Sequence, residues 1–251
     1  MDDSKPIALI TGASSGLGEA LAYALAKDGY QLILMARRIE RLKVIQAAVS
    51  TPCEIFQVDL SQSNEVVQVL KKLPTSIDLL ICNAGYRIKE AFEVAPHDKV
   101  ADQITSMILS HNRLIQHYLP IFMQKKHGDI IMVSSIAGLL PSPGPLYGPI
   151  KAYQHHQAIN LHAQYKRFGI HCLSLCPGLI ETEFHTANGL SDWANISSRW
   201  WMQADVVAAK TIQQLRKRKT FYIPGWYNRL LYYFAKYLPV RLQQICVSKV
   251  F

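Results

Sequence analysis

The sequence contains a tyrosine and a lysine four residues apart, Tyr147 and Lys151, whose types suit acid–base chemistry. A phenol has an ordinary pKa of about 10, which is too high for easy proton exchange at neutral pH. Residues four apart on a helix share one face, and a lysine charge there favours the phenolate and lowers the pKa of the phenol. Such a pair can give a proton to a carbonyl oxygen or take one from an alcohol. Taken alone, it is also compatible with chance placement on an exposed helix.

A second segment suits the binding of a phosphate group. It reads Thr11-Gly12-Ala13-Ser14-Ser15-Gly16-Leu17-Gly18 and lies between a predicted strand, Ile7–Ile10, and a predicted helix, Glu19–Lys27. Glycines there permit a tight turn and let the backbone approach a pyrophosphate, which binds the N–H groups and the positive dipole at the helix start. A flexible turn without a ligand is the alternative interpretation.

The elements that must position these groups alternate between short aliphatic runs and segments of helical periodicity. Each run is too short for a helix and apolar on both faces, as expected for a strand buried in a parallel sheet. The predicted strands are Ile7–Ile10, Gln31–Met35, Ile55–Val58, Leu79–Ile81, Ile130–Val133, Cys172–Leu175 and Phe221–Ile223. The predicted helices include Glu19–Lys27, Ile39–Val49, Glu65–Lys72, Lys99–Lys125 and Ala152–Phe168. The alternation predicts a single-domain α/β fold, a doubly wound parallel sheet of about seven strands with helices on both faces.

Four further motifs follow predicted strands in order. They are Asn83-Ala84-Gly85, Ser134-Ser135, Tyr147-Gly148-Pro149-Ile150-Lys151, and Pro177-Gly178 with Thr182 just beyond. Together with the TGxxxGxG spacing of the first loop, they resemble the classical short-chain dehydrogenase/reductase (SDR) family over roughly residues 5–224. The resemblance implies a Rossmann-type fold, a nicotinamide dinucleotide cofactor and the interconversion of a ketone and an alcohol. It also implies assembly into a homodimer or homotetramer through the long helices predicted over Lys99–Lys125 and Ala152–Phe168.

The resemblance also implies roles for individual residues. Tyr147 is the acid/base, Ser135 orients the substrate carbonyl, and Lys151 binds the nicotinamide ribose and tunes Tyr147. Asp59 and Leu60 resemble the pair that contacts the adenine, although Asp59 could simply cap the next helix. Tyr147 is implied to contact the cofactor together with Lys151. The other implied cofactor-binding residues are Gly12, Ser14, Ser15, Gly16, Leu17, Gly18, Asn83, Ala84, Gly85, Pro177, Gly178 and Thr182.

The end of the second predicted strand bears on the choice of cofactor. An acidic residue there would bond the ribose hydroxyls of NAD, whereas an arginine would bind the 2′-phosphate of NADP. The sequence reads Met35-Ala36-Arg37-Arg38, with alanine where NAD-preferring members of the family carry aspartate. Arg37 and Arg38 therefore favour NADP(H). Two arginines on a solvated helix start are the alternative.

The main departure from the family pattern lies at Met107. This residue falls where an asparagine normally completes a proton relay, and a thioether is a weak hydrogen-bond acceptor. Asn112 is about 140° away around a helix, whereas Ser110 lies within about 60° and could anchor a water molecule. The departure keeps a second hypothesis open, a catalytically weak NADP(H)-binding regulatory or scaffold protein.

The last part of the chain carries the whole net charge. Residues 199–251 hold ten basic side chains against Asp205, whereas residues 1–198 hold 17 of each sign. Residues 1–224 are predicted to form the NADP-binding reductase domain, and 225–251 a basic, aromatic amphipathic tail. Its apolar face contains Leu230, Phe234, Tyr237 and Leu238. Interfacial membrane helices combine these features, but a helix docked on its own domain or on a second subunit would also have them.

Other sequence features narrow the function class. Five cysteines without a CxxC pair predict a reducing, cytoplasmic compartment, and nine histidines without ligand spacing predict no metal site. We see neither a secretory signal nor an apolar run long enough to span a bilayer, so any membrane contact would be peripheral. The chain has no nucleic-acid-binding module. An irregular stretch over residues 183–201 carries Phe184, Trp193, Trp200 and Trp201. The corresponding loop of the SDR family closes over the substrate, so the resemblance implies an apolar substrate, and similar basic, aromatic tails occur in members that act on lipid-like ketones. The alternative is that these aromatics pack the stretch onto the core.

Overall fold

The structure is a computed structural model that describes residues 5–141, 146–183 and 200–248. Seven strands form one parallel sheet in the spatial order β3-β2-β1-β4-β5-β6-β9. Their bounds are β1 Ile7–Thr11, β2 Gln31–Ala36, β3 Cys53–Gln57, β4 Leu79–Cys82, β5 Gly128–Val133, β6 Ile170–Leu175 and β9 Phe221–Tyr222. Two further strands, β7 Ile180–Glu181 and β8 Met202–Gln203, pair with each other. The predicted seven-stranded, doubly wound parallel sheet is confirmed.

Helices cover both faces of the sheet. Their bounds are α1 Gly16–Lys27, α2 Ile39–Ala48, α3 Ser63–Leu70, α4 His97–Ile104, α5 Ser110–Lys125, α6 Tyr147–Tyr165, α7 Ala204–Arg216, α8 Trp226–Lys236 and α9 Val240–Ser248. Apolar side chains of α1, α2 and α7 form the core on one face, and those of α3, α5 and α6 form the core on the other. Because β2, β4 and β6 are buried along their whole length, they carry apolar residues on both faces and give the uninterrupted aliphatic runs of the sequence.

The predicted helix Lys99–Lys125 is interrupted. A π-helical turn, Thr105–Leu109, separates α4 from α5 without breaking the rod. Its wider i→i+5 pattern, with the Ser110 N–H donating to the Thr105 carbonyl, shifts the helix face by part of a turn. A prediction based on a uniform 3.6-residue period therefore misplaces the side chains that follow, and this matters for the residues near Met107.

The C-terminal helix α8 packs one side on the domain and exposes the other. Ala235, fully buried, contacts the cluster that contains Ile136 and Leu140. Asn228 is also buried, and its side-chain amide donates to the Pro224 carbonyl at 2.9 Å. The opposite side carries Leu230, Phe234 and Tyr237, which are 63, 64 and 79% exposed. No helix of the described residues is long and apolar enough to cross a membrane.

Candidate active site

The carboxyl ends of the central strands open into one cleft of about 800 Å³. In a parallel sheet these ends lie on the same edge, so the loops that follow β1, β2, β4, β5 and β6 converge there. The cleft is lined by every residue predicted to act in catalysis or cofactor binding: Gly12, Ser14, Ser15, Gly16, Leu17, Gly18, Arg37, Arg38, Asp59, Leu60, Asn83, Ala84, Gly85, Ser135, Tyr147, Lys151, Pro177, Gly178 and Thr182. The structure thus brings together groups that span 171 positions of the chain.

The glycine-rich loop is shaped as a cradle for a phosphate group. Gly12 has a φ of +66°, in the left-handed region that L side chains rarely adopt. A Cβ on Gly18 would lie 2.3 Å from the Gly12 carbonyl oxygen and 2.5 Å from Asn83 Nδ2, which excludes any larger residue. Asn83 holds the loop by donating from Nδ2 to the carbonyls of Thr11 and Gly12, at 2.9 and 3.2 Å. The empty Cβ positions and the start of α1 fit a dinucleotide pyrophosphate.

Arg38 projects across this cradle. Its guanidinium donates to Ser14 Oγ at 3.3 Å and to Ser15 Oγ at 2.6 Å. It also pairs with the Glu183 carboxylate at 3.0 Å, which Arg41 binds at 2.9 Å from the next turn of α2. These cations lower the pKa of the Glu183 carboxyl. Arg38 and Arg41 therefore already bind one anionic group, the Glu183 carboxylate, at this edge of the cleft. Because all three side chains are about half exposed, another anion can compete with that carboxylate for the two arginines.

Ser135 and Tyr147 meet on the floor of the cleft. Ser135 follows β5, and its Oγ accepts the Ala137 N–H at 3.2 Å and donates to the Pro177 carbonyl at 3.4 Å. Burial raises the pKa of the Tyr147 phenol, and a hydrogen bond from Ser135 and the charge of Arg87 oppose that rise only in part. The expectation that the pKa of Tyr147 is lowered is therefore wrong for this structure, because loss of solvent outweighs the nearby favourable groups.

Lys151 lies one helical turn after Tyr147 and is only 3% exposed. Its Nζ donates to the Val133 carbonyl at 2.7 Å and to Gln154 Oε1 at 3.0 Å, and lies 5.5 Å from the centre of the Tyr147 ring. Burial lowers the pKa of Lys151 to about 7. Near neutral pH this side chain is therefore divided between amine and ammonium forms, which suits proton exchange.

The remaining predicted cofactor residues frame the cleft. The Asp59 carboxylate accepts the Ser61 N–H at 2.9 Å, but the N-cap position of α3 is Gln62, so Asp59 does not cap that helix. Thr182 lies against the glycine-rich loop, 3.1 Å from where a Cβ on Gly16 would be. The Pro177 carbonyl accepts the Ile136 N–H at 2.9 Å and so ties the sixth strand's loop to the fifth's.

Neither Ser110, the predicted substitute for the missing relay asparagine, nor Asn112, which the helix angle already disfavoured, lines the cleft. Ser110 Oγ donates to the Leu60 carbonyl at 2.6 Å and is buried there, so the expectation that Ser110 anchors a relay water is wrong. Asn112 donates to the Tyr153 hydroxyl at 2.8 Å on the outer side of α6. The physical reason is the π-helical turn, which rotates everything after Met107 away from the angles of a regular helix.

Sequence reasoning missed two buried polar residues beside Lys151. Gln154 lies on α6 and contacts Lys151 directly, and His111 lies on α5 within 3.3 Å of Gln154. The sequence carried one signal for Gln154, since residues three apart on a helix are neighbours, but nothing pointed to His111.

Of the predicted aromatic loop, Phe184 and Trp193 lie outside the described residues. Trp200 packs on the tail, with its carbonyl accepting from the Tyr227 hydroxyl at 2.8 Å.

Known proteins are similar to this chain in sequence and in fold. A serine 3-dehydrogenase of Rhizobium radiobacter is 32% identical over 183 residues, which cover 70% of this chain and 72% of that protein. An NADP-dependent 3-hydroxy acid dehydrogenase of Escherichia coli K12 is 30% identical over 186 residues, covering 71% and 74%. A solved short-chain dehydrogenase from Sphingobium yanoikuyae in complex with NADPH superposes with a TM-score of 0.82 at 25% identity, covering 97% of this chain and 93% of that one.

The family model described as short chain dehydrogenase matches residues 6–192, which is most of the chain and includes every predicted site residue. The match spans the glycine-rich loop, Ser135, Tyr147 and Lys151 in the order in which the cleft assembles them. The chain therefore belongs to the short-chain dehydrogenase family.

Proposed function

We propose that this protein is an NADP(H)-dependent oxidoreductase that interconverts a ketone and a secondary alcohol on an apolar, lipid-like substrate. The observation that carries the proposal is the convergence of Ser135, Tyr147 and Lys151 on the floor of the same cleft that holds the glycine-rich cradle. The named relatives act with serine and 3-hydroxy acids, which shows that the family's substrates vary. The substrate is therefore inferred from this cleft.

The chain's own residues supply binding and proton transfer. The N–H groups around Gly16 and Gly18 bind the pyrophosphate, Arg37 and Arg38 bind the 2′-phosphate, and a bound nicotinamide supplies or accepts the hydride. Ser135 and Tyr147 donate hydrogen bonds to the substrate carbonyl oxygen. Tyr147 then gives it a proton, and the reverse transfer serves alcohol oxidation. Lys151 stabilises the phenolate that remains.

The walls of the cleft support an apolar substrate. Ile88, Leu140, Leu179 and Ile180 line it together with the catalytic groups. Burying a side chain or ligand group of that size against such walls contributes about 1.5–3 kcal/mol, so an apolar ketone gains affinity that a small polar one lacks. The test is a panel of aliphatic, aryl and sterol-like ketones and secondary alcohols, followed as NADPH consumption or formation. Turnover confined to small hydrophilic carbonyls would contradict the substrate class.

The rival proposal is a catalytically weak NADP(H)-binding regulatory or scaffold protein, and it is favoured by Met107. It predicts tight NADPH binding with no turnover anywhere on the panel. The same panel therefore separates the two proposals, since an enzyme must turn over at least one of its members.

Cofactor preference gives the first prediction. We expect NADPH to bind about tenfold to a hundredfold more tightly than NADH, because charge-assisted contacts of Arg37 and Arg38 with the 2′-phosphate contribute about 1.5–3 kcal/mol. The double variant Arg37→Ala/Arg38→Ala should lose this preference in a fluorescence titration. Lys43→Ala is the matched control, because Lys43 is an exposed cation on α2, the helix that follows the two arginines, and pairs with Glu40 instead. A preference that survives the double variant would overturn the assignment.

The exposed side of α8 supports peripheral contact with an anionic membrane. Leu230, Phe234 and Tyr237 form its apolar face, and Arg229 and Lys236 flank it. Two of the ten basic residues in 199–251 lie before the tail and are used within the domain, since Arg216 pairs with Asp28 and Arg218 with Asp129. Each remaining cation near an anionic surface contributes about 1 kcal/mol, so binding should be reversible and sensitive to salt. A membrane would bring a lipid-like substrate to the cleft of a protein that we place in the cytoplasm.

Vesicle binding gives the second prediction. The intact protein should sediment with anionic vesicles at low salt and be released as salt rises. Leu230→Ser/Phe234→Ser should lower the bound fraction at least about tenfold, because two large apolar side chains no longer bury. Val44→Ser/Val67→Ser is the control, with both valines exposed on other helices.

The same variants also test the alternative partner, a second copy of this chain. We propose that the protein is a homodimer or homotetramer through the rod of α4 and α5 and through α6, where Leu109 and Tyr153 are exposed in the single chain. Light scattering on Leu230→Ser/Phe234→Ser should therefore show an unchanged assembly. A variant that loses its oligomeric state instead would make α8 a subunit interface and end the membrane proposal.

A further inference from the structure

A buried chain of hydrogen bonds leads from Lys151 away from the cleft. Lys151 Nζ donates to Gln154 Oε1 at 3.0 Å, and Gln154 Nε2 donates to the Met107 carbonyl at 2.8 Å. Gln154 and Met107 are fully buried. The glutamine amide therefore contacts Lys151 with its oxygen and the backbone of the π-helical turn with its nitrogen.

His111 extends the chain to the glycine-rich loop. Its Nδ1 lies 3.0 Å from the Met107 carbonyl and its Nε2 lies 3.1 Å from Thr11 Oγ1. A carbonyl can only accept, so Nδ1 carries the proton, and Nε2 faces the Thr11 hydroxyl, whose single proton is shared between Nε2 and the Ile81 carbonyl at 3.2 Å. Burial lowers the pKa of His111 to about 3, which keeps the ring neutral and fits this arrangement. Thr11 Oγ1 in turn accepts the N–H groups of Asn83 and Ala84, at 3.0 and 3.1 Å.

This chain fixes geometry but conducts no net proton. An amide donates and accepts hydrogen bonds without taking up a proton at ordinary pH, so Gln154 cannot pass charge from Lys151 to solvent. The side chain of Met107 occupies the adjoining space, with its Cε 3.1 Å from where a Cβ on Gly85 would lie. Fully satisfied buried networks of this kind rigidify the groups that they contain.

We propose that Gln154 is a positioning residue for Lys151. Its amide donates to the Met107 carbonyl, which the His111 imidazole also contacts, and so fixes the Lys151 Nζ atom on the floor of the cleft. It thereby takes the structural place of the relay that an asparagine at position 107 would serve. The inference rests on the proposed role of Lys151 in the reaction, and Lys151 then exchanges its proton through the cleft that it lines.

The ionisation of Lys151 reports the hydrogen bond from Gln154. Across the described segments 5–141, 146–183 and 200–248, the titratable groups that act on Lys151 or its immediate partners come from four elements. They are Tyr147 on the same helix, Cys176 after β6, His111 on α5, and Arg87 after β4 through its effect on Tyr147. Burial raises the pKa of the Cys176 thiol to about 11 and keeps it neutral. An acceptor at Gln154 favours the ammonium form of Lys151, so its removal lowers the pKa of Lys151.

The test measures this ionisation without any substrate. Potassium cyanate carbamylates neutral amines, and peptide mass spectrometry gives the rate at Lys151 across pH. In Gln154→Met, which keeps the volume but lacks the acceptor, we expect the midpoint to fall by about one pH unit. Gln103→Met is the matched control, because Gln103 is equally buried and its amide donates to the Tyr86 carbonyl instead. An unchanged midpoint in Gln154→Met, or an equal fall in Gln103→Met, overturns the proposal.

A second variant covers a failure of Gln154→Met to fold. His111→Leu removes the ring that packs against the Gln154 amide and shares the Met107 carbonyl with it, and we expect a smaller fall in the same direction. The double variant should fall no further than Gln154→Met alone, because the two residues act through one contact. Additive shifts of the Lys151 midpoint in the double variant would show that Gln154 and His111 act separately. That result, or an unchanged midpoint in a folded His111→Leu, would end the proposal.

Turnover separates this inference from the proposed function. With any panel substrate that the wild type turns over, Gln154→Met should lower kcat about tenfold and leave KM for NADPH within about threefold, since the glycine-rich loop is untouched. A shifted midpoint with no turnover in the wild type would support the positioning role and reject the enzyme. Turnover in the wild type together with normal kcat in a folded Gln154→Met would support the enzyme and reject the positioning role.

Discussion

Tyr147→Phe should lower turnover about a thousandfold, because it removes the only proton donor that we assign to the substrate carbonyl. Affinity for NADPH should stay within about threefold, since the variant removes only the phenol oxygen and leaves the glycine-rich loop and the arginines that we assign to the 2′-phosphate unchanged. The measurement is kcat on the best panel substrate, together with an NADPH fluorescence titration. The large loss should therefore fall on kcat alone.

The control for this variant lies on the same helix. Tyr153→Phe makes the same chemical change six residues later, where the hydroxyl accepts from Asn112 and is on the outside of α6. It should keep wild-type kcat. Equal losses in the two variants would show a general effect on α6, and a Tyr147→Phe enzyme with normal kcat would remove Tyr147 from the mechanism.

Gly18→Ala should lower NADPH affinity at least about a hundredfold, or about 2.7 kcal/mol. The added methyl group would lie 2.3 Å from the Gly12 carbonyl oxygen and 2.5 Å from Asn83 Nδ2, so the loop must open and its N–H groups leave the positions that receive the pyrophosphate. Isothermal titration with NADPH measures the loss directly. This effect is steric and needs no assumption about the substrate.

Gly29→Ala separates lost binding from lost stability. Gly29 has a φ of +86° and nothing within 4 Å of its empty Cβ position, so alanine there costs only backbone strain, about 1 kcal/mol. We expect a modest fall in melting temperature and unchanged NADPH affinity. If Gly29→Ala weakened NADPH binding as much as Gly18→Ala, the loss would reflect stability and the cradle would not be the binding site.

The Ser135, Tyr147 and Lys151 constellation could be predicted from sequence because its parts follow strands. The fully buried strands β2, β4 and β6 leave continuous apolar runs, and the carboxyl ends of parallel strands must share an edge. Tyr147 and Lys151 are four apart, so helical geometry alone puts them on one face. These are local or topological rules, and the sequence is sufficient for them.

The surroundings of Lys151 could not be predicted in the same way. Gln154 meets the Met107 carbonyl across 47 positions, and His111 meets Thr11 across 100. No periodic pattern records such contacts, because they depend on how α5 and α6 cross and on the π-helical turn that rotates α5. The sign of the pKa shift at Tyr147 was missed for the same reason, since burial is a property of the packed cleft.

The sequence by itself determined the fold class, the glycine-rich cradle, the Tyr147–Lys151 spacing and the apolar face of α8, because each follows from residue type and short-range periodicity. Only the tertiary structure decided that this face points outward, that Ser110 bonds to Leu60, and that Gln154 holds Lys151. The physical reason is that hydrogen bonding and burial between distant segments are fixed by packing, and packing is settled only when the whole chain has folded.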